Sequence, residues 1–194
     1  MRGRLRLLLS LRVLRWRVAR FYWRAHRYAR RNGDRFSLDS AARPSELAEL
    51  LALAAGRQSV VELGTGTGWS AIALALDNGT RRIVSYDPSV RSERVAYLKL
   101  AGACARERIE LRAEADSRGP HVGDAAVELL FIDSEHERQP VLDAFAAWRG
   151  ALAPGAVVVF HDYGHPRYPG VREAVAELGL QGSERGGVFV WRAS

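Results

Sequence analysis

The sequence predicts an α/β fold, a doubly wound and mostly parallel sheet covered by helices on both faces, with a helical arm ahead of it. Three observations carry this. Short apolar runs of strand character alternate with helix-period segments from residue 59 onward, which is the pattern of parallel βαβ units. Two runs, Leu129-Leu130-Phe131-Ile132 and Val157-Val158-Val159-Phe160, are continuously apolar, as strands buried on both faces must be. The 194 residues, 47% hydrophobic and 26% charged, suffice for one domain with its own core and exclude a disordered or collagen-like chain.

The arm is residues 1–31. Leu7, Leu11, Leu14, Val18, Phe21, Ala25 and Tyr28 recur at steps of four and three, one stripe of an α-helix. Most of its arginines, with Trp16 and Trp23 among them, fall on the other side. The segment holds eleven Arg and no acid, so residues 32–194 carry −4 against a total of +7. Three uses are open: the stripe packs on its own domain, it pairs with its twin in a homodimer, or the helix lies on an anionic membrane surface. Nucleic acid is disfavoured, because the acidic domain would repel phosphate. No stretch approaches the ~18 apolar residues of a membrane span. The apolar run 7–11 is broken by Arg12 and lacks a cleavage site, unlike a secretory signal, although an Arg-rich, acid-free start does resemble an organelle transit peptide. The expected location is the cytoplasm, with peripheral membrane contact open.

Residues 32–194 form the expected domain. Asn32-Gly33-Asp34 ends the arm. A helix over 46–55 stops at Gly56. Strands are expected at 59–63, 82–87, 109–113, 127–133 and 156–162, and helices at 69–76, 90–103, 140–151 and 171–178. Residues 114–124 give no clear pattern, and 188–191 read as a last strand after Gly186-Gly187. The single Cys104 excludes a disulfide framework or a Cys-based zinc site, and is expected as a small buried residue of the run 95–105.

Ligands of such sheets sit beyond the carboxyl ends of the strands. The first run ends in Glu62-Leu63-Gly64-Thr65-Gly66-Thr67-Gly68, whose glycines permit a tight turn and close approach of a ligand. The spacing is G-x-G-x-G, not the G-x-G-x-x-G of nicotinamide enzymes, and no Tyr-x-x-x-Lys is present, which disfavours a dehydrogenase. Asp87 ends the second run. It is placed to accept from ribose hydroxyls, or else to cap the next helix. The fourth run ends in Asp133-Ser134-Glu135-His136 and the fifth in His161-Asp162-Tyr163. As neighbouring strands lie about 4.8 Å apart, Asp133 and Asp162 would face one small space. Two close carboxylates repel, a cost that a divalent cation such as Mg²⁺ would remove. Alternatively one caps a helix and the other binds a backbone amide. His136 turns back over the same crevice and suits a general base. His165 and Tyr163 could line an acceptor pocket, and His121 has no evident partner.

These motifs, with Tyr86-Asp87-Pro88 and Gly170-Val171-Arg172-Glu173-Ala174-Val175, resemble class I S-adenosylmethionine-dependent methyltransferases. The likeness spans residues 57–192 and is narrowest toward the metal-dependent O-methyltransferases of bacterial sugar and natural-product chemistry, with their I-D-x-x-H and H-D pattern. It implies a Rossmann-like, mostly parallel seven-stranded sheet with a C-terminal antiparallel strand. It also implies residue roles. Glu62, Gly64, Thr65, Gly66, Gly68 and Ser70 would hold the methionine part of S-adenosylmethionine and line its loop. Asp87 would bind ribose, and Asp116 and Ser117 would border adenine. Asp133, His161 and Asp162 would hold Mg²⁺, and His136 would take the proton of a small-molecule hydroxyl. Catechol-type relatives carry Asp-Asn or Glu-Asp where His161-Asp162 stands here, and the chain has few residues for a lid. The rival expectations are a metal-independent methyltransferase and a non-catalytic cofactor-binding domain tethered to a membrane or partner.

Overall fold

The computed structural model describes residues 7, 9–122, 124 and 126–194. Its centre is a seven-stranded sheet in the order β3-β2-β1-β4-β5-β7-β6. The strands are β1 (Ser59–Leu63), β2 (Arg82–Tyr86), β3 (Ile109–Arg112), β4 (Val127–Ile132), β5 (Leu152–Phe160), β6 (Ser183–Arg185) and β7 (Val188–Arg192). β1 to β5 run parallel, whereas β7 is antiparallel to β5, and β6 to β7. The chain winds outward from β1 through β2 to β3, then returns to lay β4 on the other side of β1. That reversal opens a crevice between the carboxyl ends of β1 and β4.

Side chains alternate between the two faces. Val60, Leu129, Phe131, Val157 and Val159 join one core, while Val61, Leu63, Leu130, Ile132, Val158 and Phe160 join the other. The helices are α1 (Trp16–Asn32), α2 (Arg35–Ser40), α3 (Pro44–Leu53), α4 (Trp69–Asp77), α5 (Glu93–Ala101), α6 (Ala103–Arg106), α7 (Arg138–Trp148) and α8 (Pro169–Glu177). Helix α7 runs three residues short of its expected end, and Leu152 to Gly155 belong instead to β5.

The arm is part of the first core. Leu11, Leu14, Val18, Phe21 and Ala25 of its apolar stripe are buried, and Tyr28 is half-exposed. Phe21 and Tyr22 meet Trp69 edge-on, with centroids at 6.3 and 5.2 Å. Gly33 ends α1 in the left-handed region, φ 68°, where glycine carries no Cβ penalty. Helix α2 has no apolar run to announce it. It is started by Asp34, whose Oδ1 accepts from the Ser37 N–H at 2.9 Å. Among the described residues, no helix is long and apolar enough to cross a membrane.

Two residues depart from expectation. Cys104 is exposed, because α5 ends at Gly102 and it is Ala105 that turns inward from the short α6. Arg81 is fully buried. Its guanidinium donates to the carbonyls of Ala54, Leu74 and Arg57 at 2.6, 2.8 and 3.1 Å, closing the C-terminal ends of α3 and α4.

Candidate functional site

A cavity of about 800 Å³ opens over the carboxyl ends of β1, β2, β4 and β5. Its floor is the glycine loop. Gly64 takes φ 98°, and a Cβ there would stand 2.3 Å from the Asp133 carbonyl oxygen, so β1 and β4 can meet this closely only through glycine. The loop is anchored by the Gly64 N–H donating to Tyr86 O at 2.8 Å and the Gly66 N–H donating to Asp87 Oδ2 at 2.9 Å. Gly68, φ 85°, leads into α4.

Beneath the loop Glu62 is fully buried, accepting from the hydroxyls of Ser70 and Ser85. Burial pushes its pKa up to about 7 against the lowering effect of the two hydroxyls, and the nearby Asp133 charge adds to the rise. Thr65 Oγ1 lies 2.7 Å from Ser85 Oγ and extends this network. Asp87 is braced from three directions. Besides Gly66, the Ser89 N–H reaches Oδ1 at 2.7 Å and the Arg94 guanidinium reaches Oδ2 at 2.5 Å. Arg94 also donates to Gly66 O at 2.7 Å, which locks carboxylate and loop together. Asp116 and Ser117 line the same cavity, in a 3-10 turn after β3. The Asp116 carboxylate accepts from Ser134, and its carbonyl from Trp148 Nε1 at 2.7 Å.

At the ends of β4 and β5 the expected meeting of carboxylates occurs. Ile132 pairs with Phe160, so Asp133 and Asp162 follow from adjacent termini. One donor atom each of Asp133, His136 and Asp162 lies within 4.8 Å of the others. His136 Nε2 is 3.0 Å from Asp162 Oδ2, and its ring stacks on Tyr168 at 4.1 Å. The other face of Tyr168 meets His165, with centroids 4.6 Å apart. Asp162 holds φ 54°, a backbone region that non-glycine residues seldom occupy and that collects at functional sites. Burial raises the pKa of its carboxyl, but His136 and His161 prevail and hold it well below the usual carboxylate range.

His161 stands behind this trio, 8% exposed, with Nδ1 2.8 Å from Asp133 Oδ1 and 3.5 Å from Asp162 Oδ2, and Nε2 3.5 Å from Glu46 Oε2. Burial alone would lower its pKa, but the three carboxylates raise it to about 12. Neither ring nitrogen has an aligned hydrogen bond among the described residues. Two carboxylates, flanking imidazoles and buried nitrogens without aligned partners make a donor set that fits a divalent cation.

With the exception of Tyr163, the residues singled out at the strand ends therefore meet in one crevice or directly beneath it. Other participants carry no sequence signal. The segment Phe36 to Arg43 and Glu46 close one side of the cavity and supply its cover, although the chain has few residues for a lid. Arg91 stacks over Phe36, its guanidinium carbon 3.4 Å from the ring centroid. Ser37, fully buried, ties this segment to the glycine loop through Thr67 Oγ1 at 2.9 Å. Tyr163 instead packs on Phe189, centroids 4.8 Å apart, and His121 finds Glu114 at 2.8 Å.

Sheet order, glycine loop and strand-end acids together define a class I, Rossmann-like methyltransferase architecture. Residues 61–163 match the family model described as a methyltransferase domain, and the chain belongs to that family. A Mycobacterium tuberculosis protein named as a probable O-methyltransferase is 31% identical over 132 residues, 64% of this chain and 58% of that one. The chain thus matches little more than half the length of that curated relative. Among solved structures, the O-methyltransferase TomG of Streptomyces achromogenes, in complex with SAM, superposes with a TM-score of 0.62 at 22% identity. That match covers 80% of this chain and 83% of TomG. An O-methyltransferase of Bacillus cereus in complex with SAH gives 0.68 at 16% identity, covering 88% and 90%. At these identities the structural likeness establishes the fold.

Proposed function

We propose that the chain transfers a methyl group from S-adenosylmethionine to a hydroxyl oxygen of a small molecule, with a divalent cation, Mg²⁺ foremost, at the acceptor end. The observation that carries this reading is the convergence of Asp133, His136 and Asp162 beside the glycine loop, within a single cavity. Family membership and the names of the relatives support the methyl-transfer part.

S-adenosylmethionine, once bound, supplies an electrophilic methyl on sulfonium, so the protein's main task is alignment. The glycine loop and Ser70 receive the methionine part above the buried Glu62. Asp87 keeps acceptor capacity on its carboxylate for ribose hydroxyls, while Arg94 and Gly66 prevent it from turning. Asp116 and Ser117 border the adenine end. Asp133 and Asp162 would hold the cation, and His161 would join them by giving up its proton, as metal ligands must. A cation there supplies positive charge that lowers the pKa of a nearby hydroxyl and orients its oxygen. His136 takes the acceptor proton, and the adjacent Asp162 carboxylate orients the ring and stabilises the imidazolium that forms.

Calorimetry of the intact protein with S-adenosylmethionine, with and without Mg²⁺, tests cofactor and ion together. Saturable cofactor binding is expected, with a separate Mg²⁺ isotherm that weakens at least tenfold in Asp162→Asn. Absence of cofactor binding refutes the proposal as a whole. Mg²⁺ binding that is absent, or indifferent to Asp162→Asn, refutes its metal part.

A further inference from the structure

The outward side of α1 is only lightly engaged by the fold, through Trp23 at the core's edge and Arg24 donating to the Leu100 carbonyl, and its chemistry is distinctive. The helix buries Val18, Phe21, Tyr22, Ala25 and Ala29 against the domain. On the opposite side Trp16, Arg20, Trp23, Arg27 and Arg31 follow at steps of four, three, four and four; Trp16, Arg20 and Arg31 are exposed, while Trp23 and Arg27 are half-buried and Trp23 leans on the edge of the first core. Trp16 is 66% exposed, and just before it Val13 and Leu9 are 60% and 48% exposed. Arg27 lies over the Trp23 ring, 4.6 Å from its centroid, and Arg17 is 5.7 Å from that of Trp16. Residues 1–31 contain no acid, and among the described residues the arm arginine that meets a carboxylate is Arg15, 3.5 Å from Asp77.

We propose that this face docks on an anionic lipid surface, with α1 lying in the plane of the headgroups. Indole rings prefer that depth, and arginines beside them reach the lipid phosphates while their stems cover apolar surface. A second copy of the chain is a poor occupant, since pairing would set two acid-free arms of eleven arginines against each other. A nucleic acid makes no use of Leu9, Val13 and Trp16, and would meet repulsion from the acidic remainder beyond the arm. As the apolar stripe of α1 is already committed to the domain, attachment is peripheral and largely electrostatic. It therefore weakens with salt. The proposal is independent of the methyl-transfer reading.

The test uses the full chain in flotation with vesicles of phosphatidylcholine alone, or of phosphatidylcholine with one third phosphatidylglycerol. Binding is expected to the anionic vesicles only, released at about 0.5 M salt, where the screening length falls to a few ångströms. Tryptophan emission should shift to the blue on binding, and less so in Trp16→Ser. Each arginine at such a surface is worth roughly five-fold, so Arg20→Gln, Arg27→Gln and Arg31→Gln together should weaken partitioning about a hundred-fold. A charge-matched control, Arg106→Gln, Arg149→Gln and Arg185→Gln, should bind as the parent does, with circular dichroism confirming that both variants fold. Equal loss in the two triple variants, no binding to anionic vesicles, or a tighter hold on duplex DNA at the same ionic strength would each overturn the proposal.

Discussion

Gly64 is where the backbone of the cofactor loop touches the backbone of the acceptor side, and replacing it by alanine probes that contact directly. The added methyl would lie 2.3 Å from the carbonyl oxygen of Asp133, 2.5 Å from its carbonyl carbon and 2.7 Å from Ser134 Cα. Comfortable separations for such atoms are about 3.5 Å, so one backbone must retreat by about 1 Å. Neither is free to do so. The Asp133 N–H donates to Leu63 O at 2.8 Å, and the His161 N–H donates to Ile132 O at 3.0 Å, which ties β4 to both neighbours. Overpacking of this kind costs about 1–3 kcal/mol, and holding alanine at positive φ adds roughly 1–2 kcal/mol. Gly66→Ala is the matched control. It also stands at positive φ, 53°, but its Cβ would meet nothing closer than Phe36 Cε1 at 3.8 Å. It should cost only about 1 kcal/mol. Urea denaturation should therefore separate the two variants by about 2 kcal/mol, and Gly64→Ala should also lose S-adenosylmethionine binding by calorimetry. Equal destabilisation of the two variants would show that φ alone matters, and that the contact between the two sides of the crevice is not tight.

Two further outcomes follow from the same geometry. His136→Ala should lower turnover by about 10²–10⁴, the usual yield of a general base, while cofactor affinity stays within a few-fold; steady-state kinetics beside calorimetry separates the two, and matched losses would make His136 a structural residue. Glu62, held at about 7 against its ordinary 4.5, keeps a proton in the folded chain that the unfolded chain has already released. Stability should thus fall as pH rises from about 4.5 to about 7, by about 3 kcal/mol in all, and level off above. Denaturation across that range should show the slope in the parent and not in Glu62→Gln, and parallel profiles would remove Glu62 as the source.

The identity of the strand-end acids is legible in the residue order, because in a parallel sheet every strand delivers its terminus to the same edge. Asp87, Asp133 and Asp162 need only their strands to be recognised for their placement to follow. The glycine loop is readable for a related reason, since positive φ values at 64, 66 and 68 demand the residue found there. The cover over the cavity is not readable. Helix α2 is six residues long, Phe36 is 39% exposed, and what holds the segment in place is a hydrogen-bonded link from Asp34 through Ser37 to Thr67, thirty residues away. The buried Arg81 is equally silent, because beyond its neighbour Asp77 its partners are backbone carbonyls of Ala54, Arg57 and Leu74 that no sequence pattern marks.

What the amino-acid order alone determines here is periodic or terminal: which runs are strands, which face of the arm is apolar, and which side chains arrive at the carboxyl edge. What only the tertiary structure decides is which of several permitted uses prevails. The stripe of α1 had three possible partners, and packing against Trp69 claimed it for the domain. His136 and His161 both stand beside the two carboxylates, and folding gives them different surroundings: His136 reaches Asp162 from the cavity side at 3.0 Å, whereas His161 is buried against Asp133 and Glu46. Local periodicity is a property of neighbouring residues, whereas such choices depend on surfaces and charges brought together from distant parts of the chain, whose energies exist only once the chain has folded.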